Sequence, residues 1–435
     1  MEVRALVSLV AALGAAACTF DGSGEKPGDL GGVTYYQDLK PIIDAKCTGC
    51  HQADGIAPFS LESYQDVADH GGEIELAVAD GIMPPWPPND ECNQYLGDRS
   101  LSDEQKAVFQ AWFDGGRREG DPARPGAPIQ VETAQLSRVD LELELAAEYM
   151  PQTTIDRPDE YRCFVIPWPE TATRYVTGFR ATPGNPSVVH HVIAFLATAD
   201  QVATYQALDD AEDGMGYTCF GGTGGPAREW IGAWAPGSLG QDVPAGTGLR
   251  VDPGSAVILQ VHYNVLTDGV APDRTAIQFK LDDAVDKIAR VQPWASPSWL
   301  SDTGMKSPAG DADVTHSFQY DATVLTSGKP FTIYAAGLHQ HMLGTHSKLS
   351  IERPGGASAC LLQIDRWNFH WQGAYGLRTP ATFMPGDQLK VECHWDNSPQ
   401  HQPLVRGERL PPRDVYWGEG TTDEMCLGIF YITSP

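Results

Sequence analysis

Positive charge is scarce in this chain: 30 Lys and Arg stand against 57 Asp and Glu, a net charge of −27 over 435 residues. Such a surface repels polyphosphates and anionic membranes at long range, which argues against a nucleic-acid partner. Beyond the first residues no segment offers the roughly 18 unbroken apolar positions that a spanning helix requires. Internal repeats and low-complexity tracts are missing, which excludes a solenoid. Cysteine and histidine are few, nine and 12, so their clustering carries information. Proline and glycine are not scarce, at 33 and 45, and with 42% hydrophobic residues they indicate a turn-rich globular protein of about three domains.

The opening "MEVRALVSLVAALGAAAC" has the single arginine, short apolar run and small residues of an export signal. Residues 1–18 are therefore read as a leader and 19–32 as a polar tether. Cys18 follows Ala15, Ala16 and Ala17 and resembles a lipoprotein cysteine, except that Ala15 stands where an aliphatic residue is expected. A lipid anchor through Cys18 and ordinary signal cleavage both remain open. The expected location is outside the cytoplasm, in a bacterial cell envelope as lipoprotein or periplasmic protein, or secreted.

Residues 33–121 carry helix-period apolar positions in "YYQDLKPIIDAK", "LESYQDVADH", "EIELAVADGI" and "SDEQKAVFQAWFDGG", with caps expected at Ser60 and Ser102. A proline- and glycine-rich stretch follows, giving a linker at 122–135. Beyond it, short β-rich runs such as "RYVTGFRAT", "SAVILQVHYNVL" and "DQLKVECHWD" alternate with turn residues. That spacing predicts two all-β sandwich or jelly-roll domains, 136–285 and 286–435, joined near "DDAVDKIARVQPWASP".

Within the helical region "KCTGCH" is the CxxCH pattern of covalent haem attachment. Cys47 and Cys50 would form thioethers and His51 the proximal iron bond. A redox dithiol or half a zinc site fits less well, since no βαβ pattern and no second CxxC accompany it. Met83 in "GIMPPWPP" is the candidate sixth ligand, with His70 its rival. Residues 33–121 thus resemble a small all-α c-type cytochrome domain.

The β-region concentrates histidine. "YAAGLHQHM" holds His339 and His341, two apart and on one face if the strand continues. "SVVHHVIAF" holds His190 and His191, and "LQVHYNV" holds His262. Adjacent histidines on an ideal strand diverge, so a shared ion needs a local bulge or coordination through different ring nitrogens. "TTDEMCLGIFY" adds Met425 beside Cys426.

These four motifs, in this order over about residues 155–435, resemble the copper type II, ascorbate-dependent monooxygenases, the peptidylglycine α-hydroxylating and dopamine β-monooxygenase type. The resemblance implies two coppers per chain: His190, His191 and His262 hold one that relays electrons, while His339, His341 and Met425 hold the one that meets O2. Imidazole suits both copper states and a thioether favours Cu(I), which fits those roles. The resemblance also pairs Cys163 with Cys219 and Cys393 with Cys426; Cys92 and Cys360 are left over, and sequence does not fix their connectivity. Where peptide-amidating members carry a substrate-binding arginine, two residues before HxH, this chain has Gly337, and Leu427, Gly428 and Ile429 follow the DEMC cysteine. A less polar organic substrate than a peptidylglycine is expected. His316, His346, His370 and His394 are not assigned as ligands, and the tryptophans of "EWIGAWAPG" and "RWNFHWQG" are read mainly as core.

The expected function is a copper monooxygenase hydroxylating an organic C–H with O2, supplied by an external reductant or redox protein, with the tethered haem c as relay. The alternative is a noncatalytic copper-binding or electron-transfer protein.

Overall fold

The computed structural model describes residues 32–434, apart from 54–56, 131–134, 154–157, 237, 239, 266–269, 302 and 406. The leader, Cys18 and nearly all of the tether lie outside the described residues. Among those described, no helix is long and apolar enough to cross a membrane.

The N-terminal segment folds as short helices, Lys40–Lys46, Tyr64–Asp69, Gly71–Ala79 and Asp103–Asp114, the first preceded by a π-turn at Tyr35–Leu39. Their apolar faces meet in a separate core containing Tyr35, Leu39, Ile43, Val67, Phe109 and Trp112. Ser102 caps the last helix through a capping box with Gln105, as its sequence predicts. The expected cap at Ser60 is corrected: Ser63 caps Tyr64–Asp69, because Asp66 three residues later completes the reciprocal bond. The linker is not loose. Gln37 Nε2 donates to the carbonyls of Asp121 and Arg124, which folds the start of the linker back onto the helical unit.

The remainder is two stacked-sheet layers. A five-stranded sheet, ordered Tyr217–Thr218, Asp159–Pro167, Ala256–Asn264, Val189–Ala197, Glu229–Trp234, packs one core against Arg174–Thr182 and Ala276–Asp282. A four-stranded sheet, Val314–Tyr320, Gln388–Trp395, Gly344–Glu352, Ser358–Ile364, packs a second core against Phe331–His339, Leu427–Thr433 and Ala374–Phe383. The two opposing partner layers are one continuous nine-stranded sheet. The expected join is therefore itself a strand, Lys287–Trp294, which pairs antiparallel with Leu427–Thr433 and briefly parallel with Thr247–Val251. Two independent sandwiches would leave edge strands open there; sharing the sheet covers them.

Three disulfides form among the described residues: Cys163–Cys219, Cys393–Cys426 and Cys92–Cys360. The third fastens the helical unit to the second sandwich. Around it, residues 86–96 lie across that sandwich as a strap, with Asn89 N donating to Gln363 O at 2.8 Å and Leu96 N to Gly376 O at 2.8 Å. Tyr95, buried in the second core, and Trp86 both meet Tyr375 edge-on.

Candidate copper centres and the cysteine turn

The strand Val189–Ala197 lies beside Ala256–Asn264, and their register slips between Val189 and His191. His190 is the extra residue of that bulge. The kink turns its ring to the same side as His191, so the required departure from ideal strand geometry is present. Three Nδ1 atoms consequently converge: His190 to His191 at 3.3 Å, His190 to His262 at 3.2 Å, and His262 to His191 at 3.4 Å. A point among them lies about 1.9 Å from each, close to the ~2.0–2.1 Å of a zinc–imidazole bond. Burial pushes the pKa values of His190 and His191 well down, which keeps their rings neutral and their lone pairs available. Three converging lone pairs repel one another without a cation between them, so this donor set fits a metal ion.

A carboxylate orients the set. His262 Nε2–H donates to Asp159 Oδ1 at 2.9 Å, leaving Nδ1 as the acceptor that faces the other two rings. Asp159 is held in turn by Asn264 Nδ2 and by the hydroxyl and amide of Thr421. Burial raises its pKa, but the bonds from His262, Thr421 and Asn264 outweigh burial and hold the carboxyl well below the usual range. Tyr161 stacks on the His262 ring at 4.1 Å and Phe369 on His190 at 4.2 Å.

The second pair is built differently from the sequence expectation. The strand stops at His339, so His341 sits in the following turn and shares a face with His339 through turn geometry. Their ring centroids are 4.9 Å apart. His341 Nδ1–H donates to the Asp423 carbonyl at 3.1 Å. His339 Nδ1–H donates to Gln372 Oε1, whose amide nitrogen is committed to the Phe369 carbonyl. Both rings therefore keep Nε2 free as a lone-pair donor. Burial pushes His339 down to about 4 and His341 to about 3.

Glu424 fixes the turn. Wholly buried, it accepts His341 N–H at 2.9 Å, Leu343 N–H at 2.7 Å and Trp395 Nε1–H at 2.7 Å. Burial nonetheless pushes its pKa up to about 7. Trp367 Nε1 donates to the His341 carbonyl. Met425, buried beside the Cys393–Cys426 bridge, precedes Leu427, which pairs directly with His339. It lines one cleft of about 1470 Å³ with His191 and His339.

The floor of that cleft is apolar, contributed by Ala335, Gly337, Leu427 and Ile429. A Cβ on Gly337 would come within 3.1 Å of the Gly373 carbonyl, so the floor is narrow at this point. Trp230, Trp234 and Trp371 also line it, which assigns part of the tryptophan set to the cleft as well as to the core.

Thr48, Gly49 and Cys50 also line this cleft. Cys47 and Cys50 are unpaired thiols, and burial raises the pKa of both, that of Cys47 to about 12. His51 Nδ1–H donates to the Phe59 carbonyl at 3.0 Å, leaving Nε2 free. Two free thiols and a singly committed imidazole fit covalent haem attachment. Met83 is half-buried, with its N–H on the Ala77 carbonyl, while its rival His70 stacks on Phe59 at 3.8 Å and bonds Glu73. Of the unassigned histidines, His346 and His394 stack across adjacent strands at 3.7 Å, and His316 bonds the Lys306 carbonyl.

Residues 147–268 match the model of the copper type II ascorbate-dependent monooxygenase N-terminal domain, and residues 318–433 that of its C-terminal domain. Tyramine beta-hydroxylase of Caenorhabditis briggsae is 25% identical over 353 residues, covering 77% of this chain and 56% of that protein. DBH-like monooxygenase protein 1 is 24% identical in both Gallus gallus and Homo sapiens, covering 56% of this chain and 39% of each relative. The chain thus spans about half the length, or less, of these relatives. The two matched domains together take in more than half of the chain, in sequence order and around both histidine clusters, and the chain belongs to the copper type II, ascorbate-dependent monooxygenases.

Proposed function

We propose that this chain hydroxylates an apolar organic substrate: one atom of O2 enters a C–H bond and the other leaves as water, with two electrons and two protons consumed. The observation that carries this reading is that His191 of one cluster and His339 of the other line one largely apolar cleft together with Met425. His190, His191 and His262 would hold one copper; His339, His341 and Met425 would hold the other. Copper, when bound, supplies the one-electron and O2 chemistry. Burial keeps the imidazoles of His190, His191, His339 and His341 neutral, Asp159, Gln372 and the Asp423 carbonyl fix the tautomers of His262, His339 and His341, and aromatic side chains line the cleft. Gly337 in place of an arginine argues against a peptidylglycine carboxylate as the substrate group.

The N-terminal helical unit, 33–121, is read as a c-type cytochrome domain, with Cys47, Cys50 and His51 holding the haem and Met83 its sixth ligand. Haem, when bound, carries single electrons from an external reductant or redox protein. Two observations support a relay role: the Cys92–Cys360 tie, which keeps the unit at high effective concentration beside the copper domains, and the continuity of the cleft from Cys50 to His339. Three disulfides fit an exported protein; lipidation at Cys18 and a bacterial envelope location belong to the same proposal.

The test is O2 consumption by the copper-reconstituted full chain under a one-electron reductant, across a panel of apolar organic compounds. Substrate-dependent uptake that His339→Ala abolishes is expected. Specific copper binding without substrate-dependent uptake across the panel would favour the noncatalytic copper protein instead.

A further inference from the structure

Three aromatic rings meet where the strap of residues 86–96 crosses the second sandwich. Trp86 and Tyr375 stand edge-on with 5.3 Å between centroids, and Tyr95 stands edge-on to both, at 6.4 Å and 6.0 Å. Trp86 comes three positions after Met83, in "MPPWPP", where four prolines restrict the backbone and hold the indole in place relative to Met83. It lines the cleft with Cys50 and with Gln372, Gly373 and Tyr375. Its Nε1–H is buried and has no hydrogen-bond partner among the described residues. A buried donor without a partner is a cost to the fold, so stability alone does not account for an indole at this position.

Both ends of this group reach a candidate redox site. On the copper side, Tyr375 pairs with Ala336 on the strand that ends at His339. A Cβ on Gly373 would stand 3.3 Å from the Tyr375 hydroxyl oxygen, so the phenol lies against the backbone beside Gln372. Gln372 Oε1 in turn accepts the His339 Nδ1–H. On the side of the CxxCH turn, Lys46 Nζ, one residue before Cys47, donates to the Asp98 carbonyl at 2.8 Å. The next residue, Arg99, places its guanidinium 5.9 Å from the centre of the Trp86 ring. Burial raises the pKa of the Cys50 thiol and of the Tyr375 phenol, and the nearby Arg99 charge offsets part of that rise in both. One cation thus neighbours Cys50, Trp86 and Tyr375.

We propose that Trp86 and Tyr375 are the bridge by which an electron passes from a haem held at Cys47, Cys50 and His51 to a copper held at the His339 cluster. The inference rests on the relay reading above and adds to it a route and a point of entry. One electron leaves ferrous haem, giving ferric haem, and arrives at cupric copper, giving cuprous copper. No bond forms or breaks, no proton moves, and the two rings are left as they were. Their π systems shorten the gap that the electron must tunnel, which a saturated side chain would not do.

The experiment uses the full chain, matured with haem, loaded with copper, fully oxidised and kept free of O2. A pulse of one-electron reductant, substoichiometric to the protein, reduces the haem, and the haem absorbance then follows its reoxidation by copper. Haem and copper per chain, haem potential and melting temperature are recorded for every variant. The expected parent result is a fast reoxidation phase whose rate does not depend on protein concentration, the mark of a step within one chain. Trp86→Leu and Tyr375→Leu should each lose that phase with haem, copper and potential unchanged, while Trp86→Phe and Tyr375→Phe retain it. The His339→Ala, His341→Ala double variant should lose it as well, and the His190→Ala, His191→Ala, His262→Ala triple variant should keep it. The double variant keeps the point of entry testable where a leucine variant loses a cofactor. A fast phase that survives in a leucine variant with its cofactors intact, or in the double variant, overturns the route and leaves the relay reading in place. A parent that carries haem and two coppers yet reoxidises only in a concentration-dependent phase overturns the relay reading itself, and the route with it.

Discussion

The imidazole of His191 stands edge-on to that of His339, with 6.4 Å between ring centroids. The two belong to different sandwiches and are 148 positions apart in the chain, so their proximity is a product of the shared nine-stranded sheet. Phe369 reinforces the meeting, stacked on His190 and edge-on to His341 at 6.1 Å. Removing Phe369 should therefore disturb both clusters at once. Phe369→Ala is expected to cost about 3–5 kcal/mol of stability, as for other buried phenylalanines, while Phe369→Leu keeps most of the packing and loses the stack on His190. A melting curve for each, with copper per chain, checks this; unchanged copper binding in both variants would refute a role for the ring at the clusters.

Asp159 would act on a copper held by the three-histidine cluster only through His262, to whose Nε2–H it is bonded. Asp159→Asn is predicted to lower affinity at the three-histidine cluster by about 10- to 100-fold, the usual effect of losing such a partner, and to spare the His339 cluster. Competitive chelator titration, resolved by site with electron paramagnetic resonance, distinguishes the two. Equal weakening of both sites would mean that Asp159 supports the fold instead.

An amide at position 424 cannot replace the carboxylate. Glu424 takes N–H bonds on both oxygens, from His341 and Trp395 on one and from Leu343 on the other, whereas glutamine offers a single acceptor. Glu424→Gln should leave at least one buried N–H unsatisfied, costing about 1–3 kcal/mol, and loosen the turn carrying His341. The prediction is a lower melting temperature with selectively weakened copper at the His339 cluster. Wild-type values for both would contradict it.

Much of this was legible in the sequence, for reasons that particular residues make plain. A shared ion at His190 and His191 needed either a bulge or coordination through different ring nitrogens; the structure has the bulge, and all three rings converge through Nδ1. The capping box at Ser102 is written in four adjacent residues. Asp159 and Glu424 were not legible: an acid 103 positions from its histidine leaves no local pattern, and Glu424 was read only as part of DEMC. His341 falls beyond the strand because the turn is held by contacts from Glu424 and Trp367, which periodicity cannot report. The pairing of Cys92 with Cys360 followed only by subtraction, and the strap that explains it is invisible until residues 86–96 are seen lying across the second sandwich.

That strap makes a further prediction. Replacing Cys92 and Cys360 together by serine removes a cross-link between residues 268 positions apart and should cost about 2–4 kcal/mol, with the helical unit becoming more open to limited proteolysis. Copper content should be unaffected, since the Cys163–Cys219 and Cys393–Cys426 bridges remain. Loss of copper in this variant would show that the helical unit supports the copper clusters directly.

The central claim is that two separate histidine clusters each hold a copper in one cleft, and copper per chain in the reconstituted protein tests it most directly. The account predicts two in the parent, one in a His190→Ala, His191→Ala, His262→Ala triple variant, and one in a His339→Ala, His341→Ala double variant. A parent that binds one copper or none, or a count that the two variants leave unchanged, would contradict it.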